Sequence, residues 1–412
     1  MSHALIDIFP MFFTSLIIVL RDDLALSEWQ VGMIFIASPI SGGLLQPVFA
    51  WWGDRYDTRL AAPLGLAIGG LCIGMIGFAQ HFWQLIALQV IGVVSTGAYH
   101  PAATSVAGQL GGRIFSNGRG MAVSVFLACG MLGHTLGPLY ATRVNAAFGM
   151  KALAWIIPPT LLVAWVLHRT LRSVPHRHED HHAMRGAMSP AQRRAHWWVV
   201  ALLTAQNCIK YCVNVGMFIL FAYWARTIIP GDEDQAAILN GNLSSAMTLG
   251  MGVSVLVVGK LLKNGQEKRV FVGTALVGAL VLASTGFVGD WARGLAGGAW
   301  WGMAPSYFMA FVMAASFFSC IPASIGLGQR LQPSHTALVS SLLMGFGWMF
   351  GAVSRPLAEL FLGHVRLEDA GELLAPERVH MAFAFFGSLL FVAALLALAM
   401  PNRTLREAAH HS

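Results

Sequence analysis

The sequence predicts an all-α membrane protein: twelve transmembrane helices in two six-helix bundles. Three observations carry this: an apolar, charge-poor composition, apolar runs of membrane-crossing length, and one polar interruption dividing those runs six and six. Of 412 residues, 26 are Lys or Arg and 19 are Asp or Glu, so 11% are charged and 56% hydrophobic. Soluble domains carry about 25% charge. With a mean hydropathy of +0.63, the chain cannot build a water-facing surface, which excludes a soluble enzyme.

The apolar runs fall near 3–20, 29–52, 60–79, 82–107, 120–142, 150–168, 197–225, 236–259, 270–289, 300–327, 336–363 and 379–400. Each is roughly 18 to 28 residues, enough to cross about 30 Å of hydrocarbon at about 1.5 Å per residue. The first run leads straight into the second and is read as a retained helix rather than a cleaved signal peptide. It is short and lacks a basic flank, so the natural start is expected upstream. Cys72, Cys129, Cys208, Cys212 and Cys320 all fall within spans and read as small packing residues.

Loops alternating from a cytoplasmic N-terminus place 17 Lys and Arg on the cytoplasmic face and seven on the other: Arg21, Arg143, Lys151, Arg226, Arg293, Arg366 and Arg378. The positive-inside rule then sets both termini in the cytoplasm, which needs an even number of spans. The net charge of +7 is accordingly a topological signal, and no nucleic-acid partner is expected. The expected organisation is an N-terminal six-helix bundle (1–168), a cytoplasmic His/Arg-rich linker (169–196) and a C-terminal six-helix bundle (197–412). Spans five and eleven share a Val-Ser start and a later Pro-Leu (123–141 and 339–358), a faint echo expected if one half duplicates the other.

The loop after span two, QPVFAWWGDRYDTRL, holds Asp54, Arg55 and Arg59 in a tight turn. An acid flanked by bases there reads either as a gate latch that bonds a neighbouring helix end in one state, or as a charged turn anchoring helix ends. In span five, Gly133 and Gly137 share a face that admits a close neighbour, and Pro138 permits a kink. The plainer reading is small-residue packing.

These two stretches resemble the loop and antiporter signatures of the major facilitator superfamily, and the resemblance covers the whole chain. In AWWGDRYDTR, Asp54, Arg55 and the base Arg59 match, while Ala50 and Asp57 replace glycines; in GHTLGPLYAT, Gly133, Gly137 and Pro138 match, while Ala141 and Thr142 replace a Gly pair. The second-half counterpart, VVGKLLKNGQEKR (257–269), lacks an acid at the matching place, so lopsided latching is expected. SHALID (2–7), QPVFAWWGDR (46–55), GAYHPAATSVA (97–107) and IKY (209–211) are most similar to the fosmidomycin-resistance group of bacterial exporters. The resemblance implies a multi-pass protein of the bacterial inner membrane that exports a toxic small molecule against proton entry. Tyr211 of IKY joins the expected pathway.

Four charged residues lie inside spans: Asp7, Lys210, Arg355 and Glu359. Each costs about 2.5 to 3.5 kcal/mol at mid-membrane on insertion scales and needs a partner, a wet cavity or a neutral state. Lys210 is too deep to snorkel and faces either the central cavity or a buried ion pair. Asp7, four residues after His3 on the same face, either carries the proton or anchors a helix end. Arg355 and Glu359 have same-helix ion-pair spacing; the alternative is that Arg355 receives an anionic substrate. His100 and His134 read as cavity residues or as structural hydrogen-bonders. The linker histidines (His168, His176, His178, His181, His182, His196) lack a fixed scaffold, so a solvated basic linker is preferred to a metal site.

With no phosphate-cradling Gly-x-x-x-x-Gly-Lys-Ser/Thr loop, primary ATP-driven transport is disfavoured; no cofactor or metal is expected. The expected function is proton-coupled efflux of a small anionic or amphiphilic compound by a monomer in the lipid bilayer. The alternatives are an importer or symporter of an organic anion, and a non-transporting scaffold or sensor.

Overall fold

A computed structural model of the chain describes residues 1–53, 60–114, 118–172, 189–262, 265–297, 300–332 and 336–410. Every regular element among the described residues is helical. The first half comprises α1 (Ser2–Ile8), α2 (Pro10–Asp23), α3 (Glu28–Gly53), α4 (Ala61–Gly74), α5 (Phe82–Ile114), α6 (Gly118–Phe148) and α7 (Ile157–Arg172). The second comprises α8 (Pro190–Ile228), α9 (Glu233–Leu261), α10 (Glu267–Ala296), α11 (Ala304–Phe318), α12 (Ile321–Leu331), α13 (Thr336–Ser341), α14 (Gly347–Met349), α15 (Ser354–Leu362), α16 (Ala370–Leu373), α17 (Pro376–Leu398) and α18 (Asn402–His410).

Among the described residues, eleven stretches are long and apolar enough to cross a membrane. α6, at 31 residues, also has the length and packs among them. Together they correspond to the twelve expected spans. The first span is divided at Phe9, because Pro10 opens α2 and proline suits a first helical turn, where its missing N–H costs nothing. α8 begins at Pro190, earlier than the expected 197, capped by reciprocal bonds between Ser189 and Gln192. His196 thus belongs to α8, where Nδ1 bonds the Leu331 carbonyl at 2.9 Å.

Span eleven is the least regular. A π-turn at Leu342–Phe346 and a 3-10 turn at Phe350–Val353 interrupt it. There its backbone lies against α3 so closely that a Cβ on Gly43 would stand 2.4 Å from the Gly345 carbonyl.

The halves meet along α3 against this broken span, α6 against α9 and α2 against α9. The Ser245 hydroxyl bonds the Thr135 carbonyl at 2.9 Å, and the Asn240 amide bonds the Thr14 carbonyl at 3.1 Å. Glu267, at the start of α10, is buried, bonds Arg330 of α12 and accepts from the Gly265 N–H at 2.7 Å. The second half does carry an acid beside that loop, displaced from the signature position.

Candidate functional site

A cavity of about 160 Å³ lies between the halves. Its walls are largely apolar: Phe35 and Pro39 of α3, Met131 of α6, Val215 and Phe218 of α8, and Ile321 of α12. Tyr211 and Trp348 also line it, with their rings edge to face at 5.5 Å. Its polar wall is one-sided. His3, Asp7, Thr96, His100 and His134 all come from the first half.

The centre of that polar wall is Asp7, which is 3% exposed. Its Oδ2 lies 3.2 Å from His3 Nε2 and its Oδ1 lies 3.2 Å from His100 Nε2. The two Nε2 atoms are themselves 3.2 Å apart. His3 Nδ1 faces the Phe126 carbonyl at 2.5 Å, and His100 Nδ1 faces the Thr96 carbonyl at 2.7 Å. A carbonyl only accepts, so each Nδ1 carries the hydrogen and each Nε2 turns its other valence inward. Ring contacts fix the imidazoles further: His3 stacks on Phe126 with centroids 3.8 Å apart and meets His100 edge-on at 5.1 Å.

Helix packing explains why this cluster forms. His3 and Asp7 are one turn apart on α1 and share a face. That face lies on the glycine-rich surface of α6. A Cβ at Gly133 would stand 2.0 Å from the Ala4 carbonyl, and one at Gly130 would stand 2.4 Å from Asp7 Oδ2. Gly137 continues the face beneath Ile8 and Met11, and α6 runs on through Pro138. Only hydrogen at these positions lets α1 seat deeply enough to bring Asp7 to His100 of α5.

A second charged cluster joins the halves at the Glu28 end of α3. Arg355 bonds Glu359 Oε1 at 2.8 Å, Glu28 Oε2 at 3.0 Å and the Tyr223 hydroxyl oxygen at 3.3 Å. Arg21 pairs with Glu368 at 3.1 Å, and the Leu367 N–H bonds Glu28 Oε1 at 3.3 Å. Arg21 and Glu28 belong to the first half and the rest to the second, so these bonds join the halves at that end.

Asp7, His100, His134 and Tyr211 therefore line the cavity. Lys210 does not. It follows Tyr211 on α8, about 100° round the helix, and turns into the second half, with Nζ 5.5 Å from the Phe271 ring. It is 0% exposed, and its Nζ has no hydrogen-bond partner among the described residues. Nor is Arg355 among the residues lining the cavity: it pairs with Glu359 on its own helix and reaches across to Glu28 of the first half. The gating-loop residues Asp54, Arg55 and Arg59 lie outside the described residues. Sequence reasoning left His3, Arg21, Glu28, Tyr223 and Glu368 off the site. His3 had a usable signal in its spacing from Asp7, whereas the others stand at span ends where charges are ordinary.

A twelve-span fold of two halves enclosing a cavity, with charges seated inside it, is the architecture of a membrane carrier. The chain belongs to the Major Facilitator Superfamily, whose family model matches residues 3–356. It is 25% identical over 376 residues to the fosmidomycin resistance protein of Escherichia coli, covering 89% of this chain and 86% of that one. It is also 25% identical over 276 residues to the multidrug resistance protein MdtG of Serratia proteamaculans, covering 64% and 63% of the two chains. Among solved structures, a bacterial homologue of the human drug peptide transporters PepT1 and PepT2 superposes with TM-score 0.70 at 15% identity, over 99% of this chain and 98% of that one. A bacterial homologue of the human lysosomal transporter Spinster, inward-facing and occupied, superposes with TM-score 0.63 at 14% identity, over 100% and 95%. The protein is a multi-pass membrane transporter.

Proposed function

We propose that the protein is a proton-coupled exporter of a small anionic or amphiphilic compound, working as a monomer in the bacterial inner membrane with both termini cytoplasmic. Bundles 1–168 and 197–412 rock about the central cavity, while the 169–196 linker lets them move. One observation carries the reading: a carboxyl flanked by two imidazoles on the polar wall of a cavity that both halves enclose.

Asp7 with His3 and His100 holds the coupling proton. His134, beside this cluster on the same wall, offers a hydrogen bond to an acidic group of the cargo, a role that falls to the first-half wall because Lys210 and Arg355 point elsewhere. Tyr211, Trp348 and the aliphatic wall take the apolar part. With this orientation the Arg355 cluster faces outward, and export requires its bonds to part while others close the cytoplasmic end. Kinship to the fosmidomycin and multidrug resistance proteins supports outward transport of a toxic compound.

The test is accumulation of a panel of anionic and amphiphilic antibiotics, fosmidomycin included, in an exporter-deficient strain expressing the chain. Energised cells should hold less compound than cells given an uncoupler; the reverse would establish an importer. Asp7→Asn should leave the protein in the membrane and abolish the dependence of flux on the proton gradient. Flux that still tracks the gradient in this variant would remove Asp7 from the coupling role.

A further inference from the structure

The cluster on the first-half wall turns its lone pairs toward one another. His3 Nε2 and His100 Nε2 face each other at 3.2 Å, with Asp7 Oδ2 3.2 Å from the first and Asp7 Oδ1 3.2 Å from the second, and both Nδ1–H groups are spent on carbonyls. With neutral rings, three acceptors converge on one point and none brings a hydrogen. Such a point is filled by a shared proton, the role proposed above, or by a metal ion in its place.

We propose that His3, Asp7 and His100 form a binding site for one divalent transition-metal ion, reached from the cavity. The ligand atoms of all three lie within 4.8 Å of one another. Metal–nitrogen bonds of about 2.0–2.1 Å set nitrogens roughly 3.0 Å apart at an octahedral angle and about 3.4 Å apart at a tetrahedral one. The 3.2 Å between the imidazole nitrogens falls inside that interval, so their separation suits two ligands of one ion. The carbonyl bonds from Nδ1 supply the outer support that orients metal-bound histidines and fixes their tautomer. Two imidazoles and a carboxylate suit zinc, iron, nickel or cobalt, and they disfavour magnesium and calcium, which want oxygen. The fourth position opens on the cavity, where a water or a chelating group of a cargo molecule completes the coordination.

The inference rests on the cluster geometry and not on the direction or coupling of transport. Its test accordingly uses binding to the purified full-length protein in detergent without any gradient. After EDTA treatment, zinc is titrated by calorimetry and cobalt by its visible absorption. To remove competing ligands, the titrated protein carries His176→Ala, His178→Ala, His181→Ala and His182→Ala in the linker and His410→Ala and His411→Ala at the C-terminus. One ion per chain is expected, with a rise in melting temperature on zinc addition, since a ligand that binds only the folded state stabilises it.

His100→Gln and His3→Gln should each weaken binding by about ten-fold or more, at least the loss that follows removal of even an outer partner. Each should also cancel the melting shift while eluting as the parent does. Asp7→Glu, which keeps the carboxylate, should retain one ion. Absence of stoichiometric binding in the linker-substituted protein, or undiminished binding in both glutamine variants, would overturn the site. Metal binding with Asp7-independent coupling would sink only the transport reading, and coupling lost in Asp7→Asn without any metal binding would sink only the metal site.

Discussion

Lys210 and Tyr211 are neighbours in the chain with opposite fates. Tyr211 meets Trp348 in the cavity wall, whereas Lys210 is enclosed beside Phe271 without a hydrogen-bond partner among the described residues. A buried, unpaired ammonium destabilises the fold that holds it, because no partner repays its lost hydration. Lys210→Met keeps the length of the side chain and removes that cost. It should raise thermal stability by about 1 kcal/mol or more on the scale of buried polar groups and leave export intact. A loss of export at unchanged expression would show that Lys210 serves the transport cycle from its buried position. Asp7, by contrast, stood out in the sequence as an acid in an apolar run one turn from a histidine, readable as a proton carrier or a helix-end anchor; its place on the cavity wall between His3 and His100 comes from the packing.

At the scale of the helix, α1 owes its depth to α6. Replacing Gly133 by Ala puts a methyl about where the Ala4 carbonyl now stands, at 2.0 Å, so α1 must lift. Overpacking of this kind costs about 1–3 kcal/mol, and lifting α1 also separates Asp7 from His100. Gly133→Ala should therefore lower the melting temperature and impair export together. Gly273→Ala on α10, where no atom lies within 4 Å of the added methyl, should do neither. The Gly-x-x-x-Gly-Pro spacing was visible in the sequence as a close-packing face. Its partner was not, because α1 lies more than a hundred residues away in the chain. The break in span eleven was hidden for a related reason: Gly345, Gly347 and Gly351 read as ordinary small residues until α3 and α8 crowd them.

For the molecule as a whole, the decisive contacts join the halves. Arg355 bonds Glu359 on its own helix, as the spacing alone suggested, but it also bonds Glu28, 327 residues away. Glu28→Gln weakens that end by removing the negative charge shared by Arg355 and Arg21. In a cysteine-free background with a single cysteine at Ile34 on the cavity wall, Glu28→Gln should speed labelling by a membrane-impermeant thiol reagent added from outside the cell. Unchanged labelling would show that the Arg355 cluster does not control access. The population shift is set by whatever energy these bonds contribute to the closed state alone.

By itself the sequence determined the membrane class, the number and rough limits of the spans, their division six and six, and the family signatures, because each follows from local apolar length and loop charge. Those quantities do not depend on how helices turn about their axes. Which charged side chains share a site was decided only by tertiary structure. A helix places neighbouring residues about 100° apart, and the rotation of α8 that admits Tyr211 to the cavity while sending Lys210 away is set by packing against α17, α9 and the broken span eleven. The meeting of His3 with His100 has the same origin, in glycines of α6 that bring α1 close enough for its imidazole and carboxyl to reach α5.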